Sequence, residues 1–396
     1  MSAPPEDAAG AAPELTVVLP CLNEERTLAA CIREARTAMR QNGIAGEVVV
    51  ADNGSSDGSP AIAAREGASV VAVTARGYGN ALRAGIAAAR GRLIIMGDAD
   101  GSYDFSRLPQ LVAELRAGSD LVMGNRFRGG IADGAMPWKN RYLGNPFLSW
   151  LGRRLFHTPI RDFHCGLRGF SAAAYRRMDL RTTGMEFATE MIIKASLLGL
   201  RVAEVPTVLR PDGRNRPPHL RPWRDGWRHL RFMLLFSPRW LFLYPGLALI
   251  TAGLVAGGLL LAGPVQVGRV QFDINTLLFA AIAVLIGFQA VAFAVLGKFF
   301  VIQAGLRAPD ARFDRWLRVL TLETGTIAGL ALMVVGLGLS FFSVWLWRER
   351  GFGPLVPGQM LRWVIPGALS LTLGCQVILT NFFLNVLRLD TRKDPQ

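Results

Sequence analysis

The chain has 396 residues, a net charge of +14 and a hydrophobic share of 51%. That length allows more than one structural unit, and the positive balance fits an anionic membrane surface or a phosphorylated substrate. No recognisable nucleic-acid module accompanies the charge. The cysteines, Cys21, Cys31, Cys165 and Cys375, lack metal-site spacing and read as free thiols of a cytosolic domain.

The first residues, "MSAPPEDAAGAAPE", have no basic n-region and no apolar core, so no signal peptide is expected. Residues 1–13 read as a disordered tail. An α/β domain is expected over 14–218. "LTVVLP" (15–20) is a buried-strand signal, followed by a helical pattern in "NEERTLAACIREARTAMRQNG" that ends in glycine. "GEVVVAD" (46–52) is a second strand and runs into the turn "NGSSDGS". A short helix in "SPAIAAREG", a third strand in "ASVVAV", a helix in "GNALRAGIAAARG" and a fourth strand in "RLIIMGD" come next. "DFSRLPQLVAELRAG" then gives a helix and "DLVMGN" a strand. This alternation predicts a doubly wound, mostly parallel sheet, with ligands beyond the carboxyl ends of its strands.

Polar clusters follow three of these strands: Asn23-Glu24, Asp52 to Asp57, and Asp98 to Asp104. Asp98 and Asp100 stand two apart, so in an extended segment they point the same way. Two hard carboxylates flanked by glycines suit Mg²⁺ or Mn²⁺, which bind through one or two carboxylates plus substrate phosphates. Asp104 fits a helix N-cap instead. Asp52 can meet a base or ribose, or close an Asx-turn, and Asp57 fits a helix cap. "GYGNAL" (77–82) offers two glycines of a dinucleotide fingerprint, but Leu82 holds the third position and the motif does not follow the first strand. "RDFHCGLRGF" (161–170) is too polar and glycine-rich for a core strand; Asp162 and Arg168 there either pair with each other or serve the site. Glu186 and Glu190 lie four apart on one helix face. His157, His164, His219 and His229 have no ligand spacing and read as structural or interfacial.

"LRPWRDGWRHLRFML" repeats Leu220, Trp223, Trp227, Leu230 and Leu234 at helical spacing beside four arginines, so 219–239 reads as an amphipathic helix in the membrane interface. Four runs without Asp, Glu, Lys or Arg follow, at 240–268, 274–297, 324–347 and 363–387. Each is long enough to span a bilayer, which gives a four-helix transmembrane domain over 240–387 and a tail at 388–396. The loop at 298–323 and the tail are rich in Arg and Lys, whereas 264–275 has only Arg269; the loop at 348–362, with Arg348, Arg350 and Arg362, is a mild exception. The positive-inside rule then puts both termini and the α/β domain in the cytoplasm of a multi-pass cell-membrane protein.

In order, "VVLPCLNEE", "VVVADNGSSDGS", "GYGNALRAGI", "IIMGDADGSYDF", "LVMGNRF" and "DFHCGLRGF" resemble the family-two glycosyltransferases of GT-A fold. The nearest group is dolichyl-phosphate mannose synthase with its bacterial polyprenyl-phosphate relatives. The resemblance implies inverting transfer of a hexose from a nucleotide-sugar, of UDP-glucose or GDP-mannose type, to dolichyl or undecaprenyl phosphate. It implies that Pro20, Asn23, Glu24, Asp52 and Asp98 line the nucleotide pocket, and that Asp98 and Asp100 hold metal and diphosphate. Arg126, with Arg141 as its second, would meet the acceptor phosphate; Asp162, Arg168 and Glu190 would support the sugar site. Gly101-Ser102 departs from the usual mannose synthase pattern, which places Gln after the second Asp and one further residue. A processive polysaccharide synthase would carry Gln-x-x-Arg-Trp near the membrane, and "LFSPRW" (235–240) lacks the Gln. A sugar-nucleotide-sensing scaffold would have no need of Asp98, Asp100 and Arg126.

Overall fold

The computed structural model describes residues 12–213, 222–303, 311–354 and 357–389. The tails expected at 1–13 and 388–396, and His219 and Leu220, fall wholly or mostly outside these residues. The chain divides into two compact units, Met1–Phe236 and Ser237–Gln396.

The first unit holds a seven-stranded sheet of β1 (Leu15–Cys21), β2 (Gly46–Asp52), β3 (Ser69–Ala72), β4 (Leu93–Met96), β5 (Leu121–Asn125), β6 (Arg168–Ser171) and β7 (Val202–Pro206). Their order is β3-β2-β1-β4-β6-β5-β7. The pairs β1–β2, β1–β4, β2–β3 and β5–β7 are parallel, while β6 runs against both β4 and β5. Parallel strands need crossovers and bury both faces, which is why β1 and β4 read as unbroken apolar runs. Leu15, Val17, Val18, Leu19 and Leu93 to Met96 are all buried. The crossover helix Leu28–Gln41 turns Leu28, Cys31, Ile32, Ala35 and Met39 to the sheet, the three-and-four spacing of one helical face.

β6 corrects the expectation that 161–170 holds no core strand. Arg168 is fully buried, yet its guanidinium donates to the carbonyls of Cys165 (2.8 Å), Phe163 (3.1 Å) and Ala188. At Gly169 a Cβ would meet Leu115 Cδ1 at 3.0 Å and Ile95 Cγ1 at 3.2 Å, so the small residue lets the sheet and helix Leu108–Arg116 close up. Charge and glycine mark tight packing here, not a loop.

The helix Pro222–Leu235 lies within the segment read as amphipathic, 219–239. It packs on helices Glu186–Leu197 and Asn145–Phe156 of the first unit through buried His229 and Met233. Trp227 and Leu235 remain exposed, at 60% and 59%. The helix therefore gives one face to the first unit and leaves Trp227 and Leu235 outward.

In the second unit four helices are long and apolar enough to cross a membrane: Arg239–Ala262, Ile274–Gln303, Leu322–Glu349 and Pro357–Arg388. The run 240–268 is not all helix, because β8 (Val265–Val267) and β9 (Val270–Phe272) form a hairpin after Ala262. The helices pair by backbone approach at small residues. A Cβ on Gly253 would lie 2.5 Å from Ala280 O, and one on Gly336 would lie 2.7 Å from Gly367 O. Asn381, buried in the last helix, donates to the carbonyls of Thr321 and Leu322 at 3.1 and 2.9 Å.

Candidate functional site

The loops after β1 and β2 are stitched together. Asn23 takes φ +59°, its Oδ1 accepts from Ser56 N at 2.7 Å, and its own N–H donates to Ser55 Oγ at 2.9 Å. Glu24 is buried, and its N–H donates to Ser59 Oγ. Pro20 is half-buried and pairs in register with Ala51, one step before Asp52. Asp52 closes an Asx-turn, accepting from Gly54 N at 3.3 Å and Ser55 N at 3.2 Å. The sequence reading missed Asn53. This buried amide donates to Val73 O and Ala75 O and accepts from Gly77 N at 2.7 Å, so it fixes the path after β3. Its only sequence signal was its place beside Asp52.

β4 delivers the carboxylates. Asp98 Oδ1 accepts from Tyr78 OH at 3.0 Å, and Asp100 Oδ1 accepts from Ser102 N at 3.0 Å. Burial and the Asp98 carboxylate push the Tyr78 phenol well above its ordinary pKa, so it stays protonated and donates. Asp104 accepts from Ser106 N at 3.1 Å as the N-cap of the turn Phe105–Arg107, and it pairs with Arg210 at 2.9 Å. Thr27 Oγ1 donates to Ala99 O at 2.7 Å and Gly213 N to Asp100 O at 2.9 Å, which holds the carboxylate turn from two sides.

The glycines of "GYGNAL" serve a chain crossing. A Cβ on Gly77 would lie 2.4 Å from Thr183 O, and one on Gly79 2.5 Å from Thr182 O. Removing the side chains lets 182–183 lie across the start of helix Tyr78–Ala87, which aims Tyr78 at Asp98.

The loop Asp162–Leu167 joins this centre to the end of β5. A Cβ on Gly166 would sit 2.7 Å from Asp98 Oδ2, and Gly166 N donates to Tyr103 OH at 2.6 Å. At the other end Asp162 grips Arg126, taking Nε at 2.8 Å, Nη2 at 2.7 Å and the backbone N–H at 3.0 Å. Both side chains are buried. Burial works against the Arg126 charge, but Asp162 more than offsets it and holds the guanidinium protonated above its usual range. Asp162 therefore pairs with Arg126, not with Arg168, and it occupies two of the three guanidinium nitrogens.

Other expected site residues make different contacts. Arg168 is spent on carbonyls, as described. Glu190 is buried and pairs with Lys194 at 2.8 Å, and it accepts from Arg181 N, Thr182 N and Thr182 Oγ1. Burial tends to raise its pKa, but Lys194 and Thr182 hold it below the ordinary carboxylate value. It thus positions loop 181–184. Glu186, one turn earlier, has Oε2 buried with no hydrogen-bond partner among the described residues. Arg141 lies on the turn Asn140–Gly144 with its guanidinium 5.6 Å from the Tyr142 ring centroid, in an exposed aromatic stretch that includes Trp138, Phe147 and Trp150. His164 and His229 meet edge to face at 4.9 Å, and His229 Nδ1 bonds Thr189 Oγ1. His157 is a left-handed helix C-cap. All four cysteines are free.

Among the described residues no three His, Cys, Asp or Glu side chains converge as a metal cage. Asp98 and Asp100, with a hydroxyl and an amide as neutral donors, fit an ion that takes its remaining ligands from substrate phosphate and water.

A model described as Glycosyl transferase family 2 matches residues 16–183, and one described as Glycosyltransferase family 2 C-terminal transmembrane region matches residues 295–388. Over 381 residues the chain is 37% identical to the low-salt glycan biosynthesis hexosyltransferase Agl6 of Haloferax volcanii, covering 95% of this chain and 89% of that protein. The chain belongs to glycosyltransferase family two. It is a membrane glycosyltransferase with the mostly parallel sheet and four apolar helices described above. It is also 31% identical over 201 residues to a dolichyl-phosphate hexose transferase of Haloferax volcanii, covering 50% of this chain and 83% of that protein. Among solved structures it resembles glucosyl-3-phosphoglycerate synthase from Mycobacterium tuberculosis at 24% identity and TM-score 0.44, over 57% of this chain and 78% of that one.

Proposed function

We propose that this glycosyltransferase moves a hexose from a nucleotide-sugar to the phosphate of a polyprenyl lipid. The observation that carries the reading is the loop Asp162–Leu167. One end touches Asp98 and the other holds Arg126, so a carboxylate pair and a buried cation share one sheet edge. The carboxylates suit a metal-bound diphosphate and the guanidinium suits an acceptor phosphate. The printed names of two relatives, a hexosyltransferase and a dolichyl-phosphate hexose transferase, support the sugar and lipid classes.

The residues take named roles. Pro20, Asn23, Glu24 and Asp52 shape the nucleotide pocket, with Asn53 fixing its far wall. Asp98 and Asp100 would hold Mg²⁺ or Mn²⁺, which would supply charge neutralisation for the departing diphosphate. The Nη1 edge of Arg126, left over by Asp162, faces the acceptor phosphate, with Arg141 as its second contact. A phosphate oxygen of the lipid attacks the anomeric carbon, the bond to the diphosphate breaks, and the nucleoside diphosphate leaves with the electron pair. The nucleophile is already an anion, so the step needs positioning and no strong base. The catalytic unit and both termini lie on the cytoplasmic face. The exposed aromatics Trp138, Tyr142, Phe147, Trp150 and Trp227 keep the site at headgroup depth.

A donor screen tests this. The full-length protein in detergent is given undecaprenyl phosphate, Mg²⁺ or Mn²⁺, and UDP-glucose, UDP-GlcNAc, UDP-galactose or GDP-mannose in turn. Mass spectrometry of the lipid should show a gain of one hexose with one donor, lost in Asp100→Ala. A ladder of longer products would instead mark a polymer synthase, and no product with any donor would overturn the lipid acceptor. Replacing Trp227 should raise the lipid KM; an unchanged KM would remove its membrane role.

A further inference from the structure

The second unit carries a cavity of about 480 Å³ at one end of its helix bundle, lined among others by Leu261, Arg350, Gln359, Met360, Arg362 and Trp363. This is the end where Ala262 leads into the β8–β9 hairpin and Glu349 leads toward Pro357. Adjacent helices alternate in direction. The other end therefore gathers Arg239, Gln303, Leu322 and Leu389, and the cavity belongs to the membrane-facing unit alone.

Two arginines line the cavity, and their surroundings differ. Arg362 is a staple. It donates to Leu260 O at 3.1 Å and to Gly358 O at 2.8 Å, and it pairs with Asp273, so it ties the ends of three helices and its charge is answered. Arg350 is exposed and donates through Nη2 to the neutral amide oxygen of Gln359 at 2.8 Å. Among the described residues it pairs with no carboxylate. The cavity thus keeps one uncompensated guanidinium next to apolar walls from Leu261, Met360 and Trp363.

We propose that this cavity binds the phosphate group of a membrane lipid, with Arg350 as its recognition residue. Four lines of chemistry favour that ligand. A guanidinium fork matches phosphate oxygens in a way a point charge does not. The apolar wall beside it matches an amphiphile, whose head is charged and whose chain is not. Tryptophan at a span end sits at headgroup depth, where lipid phosphates lie. The volume falls within the range of small-molecule sites. The cavity is lined by residues of the second unit alone, whereas Asp98, Asp100 and Arg126 belong to the first, so it gives the chain a second phosphate site.

Native mass spectrometry of the full-length protein in neutral detergent tests this. The probes are phosphatidylglycerol, undecaprenyl phosphate, diacylglycerol without phosphate, and inorganic phosphate as competitor. The wild type should hold a phosphate-bearing lipid that Arg350→Gln binds roughly tenfold more weakly, the loss of one charge-assisted contact. Arg350→Lys should fall between the two. Diacylglycerol should not bind, and inorganic phosphate should compete. Tighter retention of undecaprenyl phosphate than of phosphatidylglycerol, or the reverse, identifies the source of the phosphate. Turnover of the full-length protein in detergent should be unchanged in Arg350→Gln, which separates this site from the catalytic one. Equal lipid binding by wild type and Arg350→Gln, or equal binding of diacylglycerol, would overturn the proposal.

Discussion

The two halves of the sheet treat charge differently. On β1, β2 and β4 the site carboxylates meet neutral donors: Asp52 meets the amides of Gly54 and Ser55, Asp98 meets Tyr78 OH, and Asp100 meets Ser102 N. On the side of β5, β6 and β7 charge meets charge, in Arg126–Asp162 and Glu190–Lys194, or is sealed by carbonyls, as at Arg168. Neutral donors orient a carboxylate without cancelling its charge. Ion pairs cancel charge and define geometry. The first half thus orients carboxylates at the strand ends, and the second fixes the shape of the chain around Arg126 and Glu190.

Breaking the second half should have the largest effect on the fold. Asp162→Ala leaves Arg126 buried without its partner and should cost about 3–5 kcal/mol. Thermal unfolding followed in detergent would show a clear fall in midpoint. Replacing both partners with apolar residues, as in Arg126→Met with Asp162→Leu, should recover much of that stability. If Arg126 also meets the acceptor phosphate, the double variant stays folded and inactive; recovery of turnover would confine the pair to structure.

Breaking the first half should leave the fold and remove the chemistry. Asp100→Asn keeps an acceptor for Ser102 N and loses the charge. Turnover should fall by about 10²–10³, comparable with removal of one major electrostatic contact to a transition state, with an unchanged unfolding midpoint. A matched loss of stability would make Asp100 a structural residue.

Much of the first half was legible in the sequence. Strands buried on both faces are continuous apolar runs, and the polar clusters at their carboxyl ends mark the binding edge, so β1, β2, β4 and their aspartates stood out. The second half was hidden because its partners are distant in the chain. Asp162 lies 36 residues from Arg126, and nothing local distinguishes it from the nearer Arg168. β6 is four residues long and contains an arginine whose solvation comes from Phe163, Cys165 and Ala188, on a loop and another helix. Glu190 did have a readable partner, Lys194, one turn ahead on its own helix. That spacing was the signal for a structural role. Asn53 left no such trace, since its three bonds reach Val73, Ala75 and Gly77 across the sheet.

A pH measurement sharpens the contrast further. His164 lies on the loop Asp162–Leu167, within reach of the charges of Arg126 and Arg168, and among the described residues its buried Nε2 has no hydrogen-bond partner. Burial, then His229, Arg126 and Arg168, depress its pKa well below the ordinary value. The folded state thus keeps it neutral while the unfolded chain takes up a proton near pH 6.5. Unfolded protein binds more protons below that pH, so stability should fall as pH drops from about 6.5 toward 5. His164→Phe should flatten this part of the profile. Equal slopes in wild type and variant would show that His164 does not contribute to it.

The smallest expected effect is the most diagnostic of how the halves are joined. Tyr78→Phe removes one hydroxyl and keeps a ring of nearly the same shape, so packing should hold. The lost bond is charge-assisted and worth about 1.5–3 kcal/mol where it is fully made. Because Asp98 also lies against the Gly166 loop, part of its orientation survives without Tyr78. Turnover should therefore drop about tenfold, less than in Asp100→Asn, and the apparent affinity for Mn²⁺ should weaken in parallel. A variant with full turnover and unchanged Mn²⁺ dependence would assign the aim of Asp98 to the Gly166 loop alone. The tyrosine would then be a packing residue, and the route from the 182–183 crossing to the carboxylates would carry no catalytic weight.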